Sequence, residues 1–478
     1  MMEYIIKNRK PEAIFRSFED ICAIPHGSGN EKEIADYIEN FAKERGLECY
    51  RDTLHNVFVK KPATVGREND PSILLQAHTD MVCEQNEGTN HDFLMDPLDL
   101  YIDGKYLRAR GTTLGADDGI GVAIMLAALD GAFESHPALE CLFTVSEETG
   151  MDGVNEFDFS LVKAKRLINL DSAELETVVA GCAGGVRCNL DFKGTRSVSD
   201  KKAIKIILGG LAGGHSGENI NDGRANANKL MGRVLLALKE YGYELSSLNG
   251  GGKSNAIPRE CRAVIATDDV NGVLSCLSKM ADEFKIELSP LDQGFFLKSE
   301  LLDEKVSVFD KNAGDSIVAL LGIAPNGVFE MNKYIKGFVE FSRNLGVIVT
   351  KEDNVSFTFF ARSAVDAQLE ASNRELEALA QLVGATVIYS EAYHGWNYEP
   401  VSPLRDKYLS ACRELGYAYP TVQSLHAGLE CGIIKSQIPD IDIISVGPNV
   451  FDLHSPDESL DLDSVEQFAK ILEKTLSK

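Results

Sequence analysis

No stretch of this chain is apolar for long enough to cross a membrane. The longest apolar runs, Val122 to Leu129 and Ile317 to Ala324, fall well short of the roughly 20 residues that a spanning helix needs. Positive charge is also scarce: 48 Lys and Arg stand against 73 Asp and Glu, a formal net charge of −25. Such a surface repels phosphate backbones and anionic bilayers, so no nucleic acid and no membrane is expected as a partner. The 10 cysteines are scattered without a CxxC pair, and the opening residues turn charged too early for a signal peptide. Reduced thiols and a cytoplasmic location are expected. There is no GxSxG elbow, which leaves no serine-hydrolase nucleophile to form an acyl-enzyme. Nor is there a disordered or fibrous bias, since 44% of residues are hydrophobic and 25% charged. A chain of 478 residues has room for two or three domains with ample cores.

The pattern along the chain changes twice. Up to about residue 185, helical and strand-like segments alternate. Pro11 to Ile21 is amphipathic, and Asn30 is placed to cap a helix over residues 31–45 that stops at Gly46. Short apolar runs at Val57 to Val59, Ile73 to Ala77, Leu142 to Val145 and Leu167 to Leu170 read as strands buried on both faces, with Gly121 to Leu129 a helix between two of them. Residues 186–396 carry two strand-helix-strand units, Ala203 to Ala266 and Val355 to Tyr389. Residues 397–478 add a helix, the strand Ile443 to Val446 and a last helix, too little for a domain. The expectation is an α/β protein. Residues 1–185 and 397–478 form one catalytic domain on a mixed, mainly parallel sheet, and 186–396 form an inserted α+β lid.

Acids and imidazoles recur at the ends of these apolar strands. SILLQAHTDMV places His78 and Asp80 just past one strand, GADDG places Asp117 and Asp118 before a helix, and SEETG places Glu147 and Glu148 after another strand. NLDS ends a strand at Asp171, and HSPDE puts His454 in a loop beyond the last strand. Each has an ordinary explanation taken singly: a structural histidine, a helix cap, solvated charge. Five such sites at strand ends are hard to credit to solvation, because open α/β sheets hold their sites there. Two imidazoles and several carboxylates suit zinc, manganese or cobalt, and a carboxylate off the metal can deprotonate a water.

The motifs HTD, GADDG, SEETG, NLDS and HSPDE, in that order, resemble the signature of the di-metal peptidases that include the aminoacylases, carboxypeptidase G and the cytosolic dipeptidases. GGHSG, SNAIP and HAGLECG narrow the resemblance to the aminoacyl-histidine dipeptidases, over essentially the whole chain. It implies a zinc-exopeptidase-like fold and two divalent metal ions per chain, zinc first, with manganese or cobalt as alternatives. His78 and Asp171 would hold one ion, Glu148 and His454 the other, and Asp117 would bridge them. Asp80 would orient His78, and Glu147 would be the general base toward a bridging water. His215 in GGHSG would stabilise the oxyanion, Asn255 and Arg362 would grip the substrate carboxylate, and Gly428 and Glu430 would contact the bound peptide. Asp118 is read as structural, as are His26, His55, His91, His136 and His394, and Cys83 is not expected to ligate.

The resulting expectation is a cytosolic dipeptidase acting on Xaa-His and related dipeptides. An aminoacylase or tripeptidase on the same metals is the alternative, and a non-catalytic binding protein the remote one. The resemblance also implies a homodimer through the lid, with His215 acting within its own chain or lent by a partner.

Overall fold

The computed structural model of the chain describes residues 4–477. They divide into two compact units: the first runs to Cys182 and resumes over Trp396–Leu425 and from Leu429, and the second is Ala183–Gly395 with His426–Gly428.

The first unit is built on an eight-stranded sheet. Its strands lie in the order Glu48–Arg51, Val57–Lys61, Leu139–Thr144, Ile73–His78, Arg166–Asn169, Asp442–Ser445, Thr177–Cys182, Thr421–Leu425. Four of the seven pairings are parallel and three antiparallel, so the sheet is mixed. The apolar runs are explained by burial on both faces. Ile73, Leu75 and Ala77 pack into one core with the helices Glu12–Cys22, Ala116–Asp130 and Leu462–Leu476. Leu74, Leu142 and Leu167 face the other way, against Val154, Trp396, Ile433 and Ile434. The helix Ala116–Asp130 is apolar on all sides because it is buried on all sides, with only Asp117 and Asp130 not fully covered.

One cap is not where the sequence places it. The helix starts at Lys32 after Glu31, without a side-chain cap, and the Asn30 amide donates to the Pro25 carbonyl instead. Glu31 turns back to accept from Gly29 N, Ser146 N and Ser146 Oγ at 2.9, 3.2 and 3.2 Å. That carboxylate serves the turn ahead of Glu147 rather than its own helix.

The second unit is α+β. Its main sheet is antiparallel throughout, in the order Phe296–Leu302, Lys202–Gly209, Cys261–Thr267, Glu244–Gly250, Val339–Lys351, Asn354–Ser363, Gly184–Lys193, Thr386–Tyr393, with Gly327–Met331 added beside Val339–Lys351. One face is buried under the helices Ala227–Leu238, Val270–Glu287, Lys311–Ile323 and Asp366–Val383, which gives the strands their alternating pattern. Asn226 caps its helix by accepting from Asn228 N and Lys229 N. Lys229 Nζ donates to the carbonyls of Leu321, Gly322 and Ala324, closing the end of a neighbouring helix.

Candidate metal centre

Three neighbouring parallel strands, Leu139–Thr144, Ile73–His78 and Arg166–Asn169, end along one edge of the first unit's sheet. In register, His78 lies opposite Thr144 and Gln76 opposite Asn169, so the residues that follow these strands emerge side by side. His78 ends the middle strand, Glu147 and Glu148 follow one neighbour, and Asp171 follows the other.

His78 Nε2 lies 3.2 Å from Asp117 Oδ1 and 3.8 Å from Asp171 Oδ1. His454 Nε2 lies 3.3 Å from Asp117 Oδ2 and 2.9 Å from Glu148 Oε1. The two oxygens of Asp117 thus face two different imidazoles. Its backbone makes this possible: with φ −85° and ψ 107° it is not helical, and its carboxylate leaves the helix that begins around it. His78, Asp117 and Glu148 alone among the described residues offer three ligand atoms within 4.8 Å of one another.

Four carboxylates hold this arrangement in place. Asp80 accepts from Ser28 Oγ at 2.8 Å, Glu147 N at 3.0 Å and Glu148 N at 3.3 Å, tying the glutamate turn to the His78 strand. The expected Asp80 support of His78 comes mainly from its main chain: Nδ1 is 3.0 Å from the Asp80 carbonyl and 3.5 Å from its carboxylate. That contact puts the proton on Nδ1 and leaves Nε2 free to ligate. Glu31 holds Ser146, which turns with φ +57°. Glu458, buried, accepts from four successive amides, Leu114, Gly115, Ala116 and Asp117, at 2.8, 3.0, 2.8 and 3.4 Å. Asp118 is buried and accepts from Gly121 N at 3.2 Å, closing the first helical turn.

Glu430 is fully buried, and its carboxylate accepts from Gln76 Nε2 and from Thr144 Oγ1 at 2.8 Å, below the strand ends. Burial pushes its carboxyl up to about 7.

The electrostatics reflect crowded charge. Burial opposes a charged His78, but Asp117, Asp80 and Asp171 overcome it and hold its pKa well above the usual imidazole value. His454 is pushed up to about 10 by Asp117 and Glu148, against burial. For Asp117, burial raises the carboxyl, yet His454 and His78 prevail and hold it well below the usual range. Asp171 is raised by burial and by Asp117. Burial pushes Glu147 up to about 8; His78 opposes it, and Glu430, Glu148 and Asp117 add to it.

This donor set fits divalent cations. Burial and neighbouring acids outweigh His78 and leave the carboxyls Asp171 and Glu147 raised, and nitrogen and oxygen donors suit zinc, manganese or cobalt.

The remaining expected residues lie in the second unit. His215 pairs with Ala256 in a two-stranded ladder, and next to it Ser216 N donates to the Asn255 carbonyl at 2.8 Å. Asn344 Nδ2 donates to the flanking carbonyls of Ser254 and Ala256 at 2.9 and 2.8 Å, and the Asn255 side chain is exposed. Arg362 is only 4% exposed. Its guanidinium faces His215 Nε2 at 3.3 Å, Tyr393 Oη at 3.1 Å and Ser216 Oγ at 3.5 Å, with no carboxylate paired to it among the described residues. Gly428 is half-buried in the segment after His426. Sequence reasoning passed over Glu31, Glu458 and His426. The last two sit inside quoted motifs, so motif membership was the one available signal.

Residues 74–478 match the model of peptidase family M20/M25/M40. The chain is 39% identical over 472 residues to the cytosol non-specific dipeptidase of Escherichia coli (strain K12), covering 98% of this chain and 97% of that one. Among solved structures it is similar to the aminoacylhistidine dipeptidase from Vibrio alginolyticus, with a TM-score of 0.93 and 37% identity over 100% and 99% of the two chains. Aminopeptidase PepT from Bacillus cereus shares the fold, with a TM-score of 0.59 and 15% identity over 98% of each chain.

Proposed function

The chain belongs to peptidase family M20/M25/M40 and is a dipeptidase of that family, and from this we propose that it hydrolyses Xaa-His and related dipeptides with two divalent cations, zinc first. The observation that carries the reading is Asp117, whose Oδ1 faces His78 and Oδ2 faces His454. His78 and Asp171 would hold one cation and His454 and Glu148 the other, with Asp117 between the two imidazoles. When bound, such cations supply Lewis acidity, polarising the scissile carbonyl and making a water more acidic.

Glu147 is the carboxylate left over. Its main chain is fixed by the Asp80 carboxylate, and its side chain has no ligand distance among the pairs above. It takes a proton from the attacking water and returns it to the leaving amine. Bound cations would favour its ionised form, because opposite charge lowers a carboxyl pKa.

In the second unit, a buried guanidinium without a counter-charge is costly, and a carboxylate suits its forked donors. Arg362 therefore binds the C-terminal carboxylate of the peptide. His215 and Asn255 donate to the substrate, and Gly428 lines the same segment. The proposed location is the cytoplasm, in line with the name of the E. coli relative.

The test is a hydrolysis panel on protein reconstituted with zinc, manganese or cobalt, with metal content measured alongside. Dipeptides ending in His should be cleaved faster than tripeptides or N-acetylated amino acids. Faster release from the N-acetylated substrates would make the protein an aminoacylase and overturn the dipeptidase reading.

A further inference from the structure

His426 heads the HAGLECG segment and lies in the second unit with Arg362 and His215. It is buried, its Nε2 is 2.7 Å from Ser342 Oγ, and Phe338 meets its ring edge-on at 6.2 Å between centroids. Nδ1 is buried too, and it has no hydrogen-bond partner among the described residues. A buried polar atom left unpaired is costly, and one beside an uncompensated guanidinium points to a ligand.

Its surroundings say which ligand. Ser342 is the cross-strand partner of Arg362, so an imidazole docked on Ser342 stands beside the guanidinium. A side chain at Gly217 would collide with both the His426 carbonyl and the His215 ring, so these two histidines close on the same glycine. Burial, reinforced by Arg362 and His215, holds the His426 pKa down to about 3, and the ring is neutral. The Ser342 hydroxyl can donate to Nε2, which places the ring proton on Nδ1.

We propose that Nδ1–H of His426 is a further substrate-binding donor, which hydrogen-bonds the C-terminal carboxylate of the dipeptide beside Arg362. A neutral donor adds a bond to the anion without adding a second positive charge next to Arg362. The inference rests on the reading of Arg362 as the carboxylate clamp.

Two substrates separate the possibilities: L-alanyl-L-histidine and its C-terminal carboxamide, the second lacking the anion. The wild-type enzyme should prefer the free acid, and Arg362→Lys should lose that preference. His426→Phe, similar in shape without nitrogen, should lower kcat/KM on the free acid by roughly ten- to hundred-fold, the range for a lost bond to a charged group. On the carboxamide the loss should be smaller, about two- to ten-fold, since only a bond to a neutral acceptor is lost there. His426→Asn keeps an N–H donor and should fall between. If His426→Phe depresses both substrates alike, or neither, the residue is structural and the inference fails. If wild-type enzyme and Arg362→Lys show no preference for the free acid, the clamp reading itself fails. Should His426→Phe not fold, His426→Asn and His426→Gln carry the same comparison: equal losses on both substrates in both variants overturn the inference, and a larger loss on the free acid in His426→Gln supports it.

Discussion

Glu147 and Glu148 are neighbours in sequence with different surroundings. The Glu148 carboxylate meets His454 at 2.9 Å, while for Glu147 burial, helped by neighbouring acids, outweighs the attraction of His78. Glu147→Gln should leave metal content and folding intact and lower kcat by about 10²–10⁴-fold, the usual contribution of a general base. Metal analysis beside steady-state kinetics decides this, and near-wild-type turnover would remove Glu147 from the mechanism. A pH prediction follows from two raised groups in metal-free protein, Glu147 at about 8 and His454 at about 10. A folded-state pKa above the unfolded one gives stability that is complete below the unfolded value and lost on rising through the folded value. Metal-free protein should therefore lose thermal stability between about pH 5 and 10, the span from ordinary carboxyl and imidazole values to these raised ones. Metal uptake must displace the same protons, so apparent affinity should rise with pH. Thermal scans and proton-release measurements during titration with zinc check both signs. A flat Tm across this range would contradict the charge distribution described here.

At the scale of elements, the metal centre depends on loops that separate parts of the chain fasten. Glu458 stands four residues after His454 and grips the amides of Leu114 to Asp117, linking the loop of one imidazole to the turn of the shared carboxylate. Glu458→Gln should retain the fold but weaken metal binding by about 10–100-fold, as loss of supporting hydrogen bonds around a metal site commonly does. Competition against a chromogenic chelator measures it, and unchanged affinity would make the grip irrelevant to the metals. In the second unit, Lys229→Met should free three carbonyls at the end of the helix Lys311–Ile323. Unsatisfied buried acceptors predict a loss of about 1–3 kcal/mol, read from the denaturant midpoint.

For the whole molecule, the prediction concerns assembly. Both His215→Ala and Glu147→Gln should depress turnover, the first through the second unit and the second through the first. We propose a homodimer through the second unit, which bears the edge strands Phe296–Leu302 and Thr386–Tyr393. If a partner chain supplies His215, mixing the two variants should restore part of the activity, because one site of each mixed dimer then keeps both groups. A mixture no more active than its parents, with subunit exchange confirmed by native mass spectrometry, would exclude sharing. Chelation should also lower Tm by several degrees, since a ligand at 100 times its Kd stabilises by about 2.7 kcal/mol.

What the amino-acid sequence determined by itself is the local pattern. Continuous apolar runs such as Ile73 to Ala77 specify strands buried on both faces, and the alternation in residues 184–193 specifies a sheet with one wet face. Motifs at the strand ends named the residues that the fold brings within ligand distance: His78, Asp117, Glu148, Asp171 and His454. The tertiary structure alone decided what each polar group faces, because those partners lie far along the chain. Glu458 meets amides 341 to 344 residues away, Glu430 is buried against Gln76 and Thr144, and Glu31 serves Ser146 rather than its own helix. Periodicity records which side of an element is buried; it carries no information about which distant donor a buried carboxylate must find to offset its desolvation.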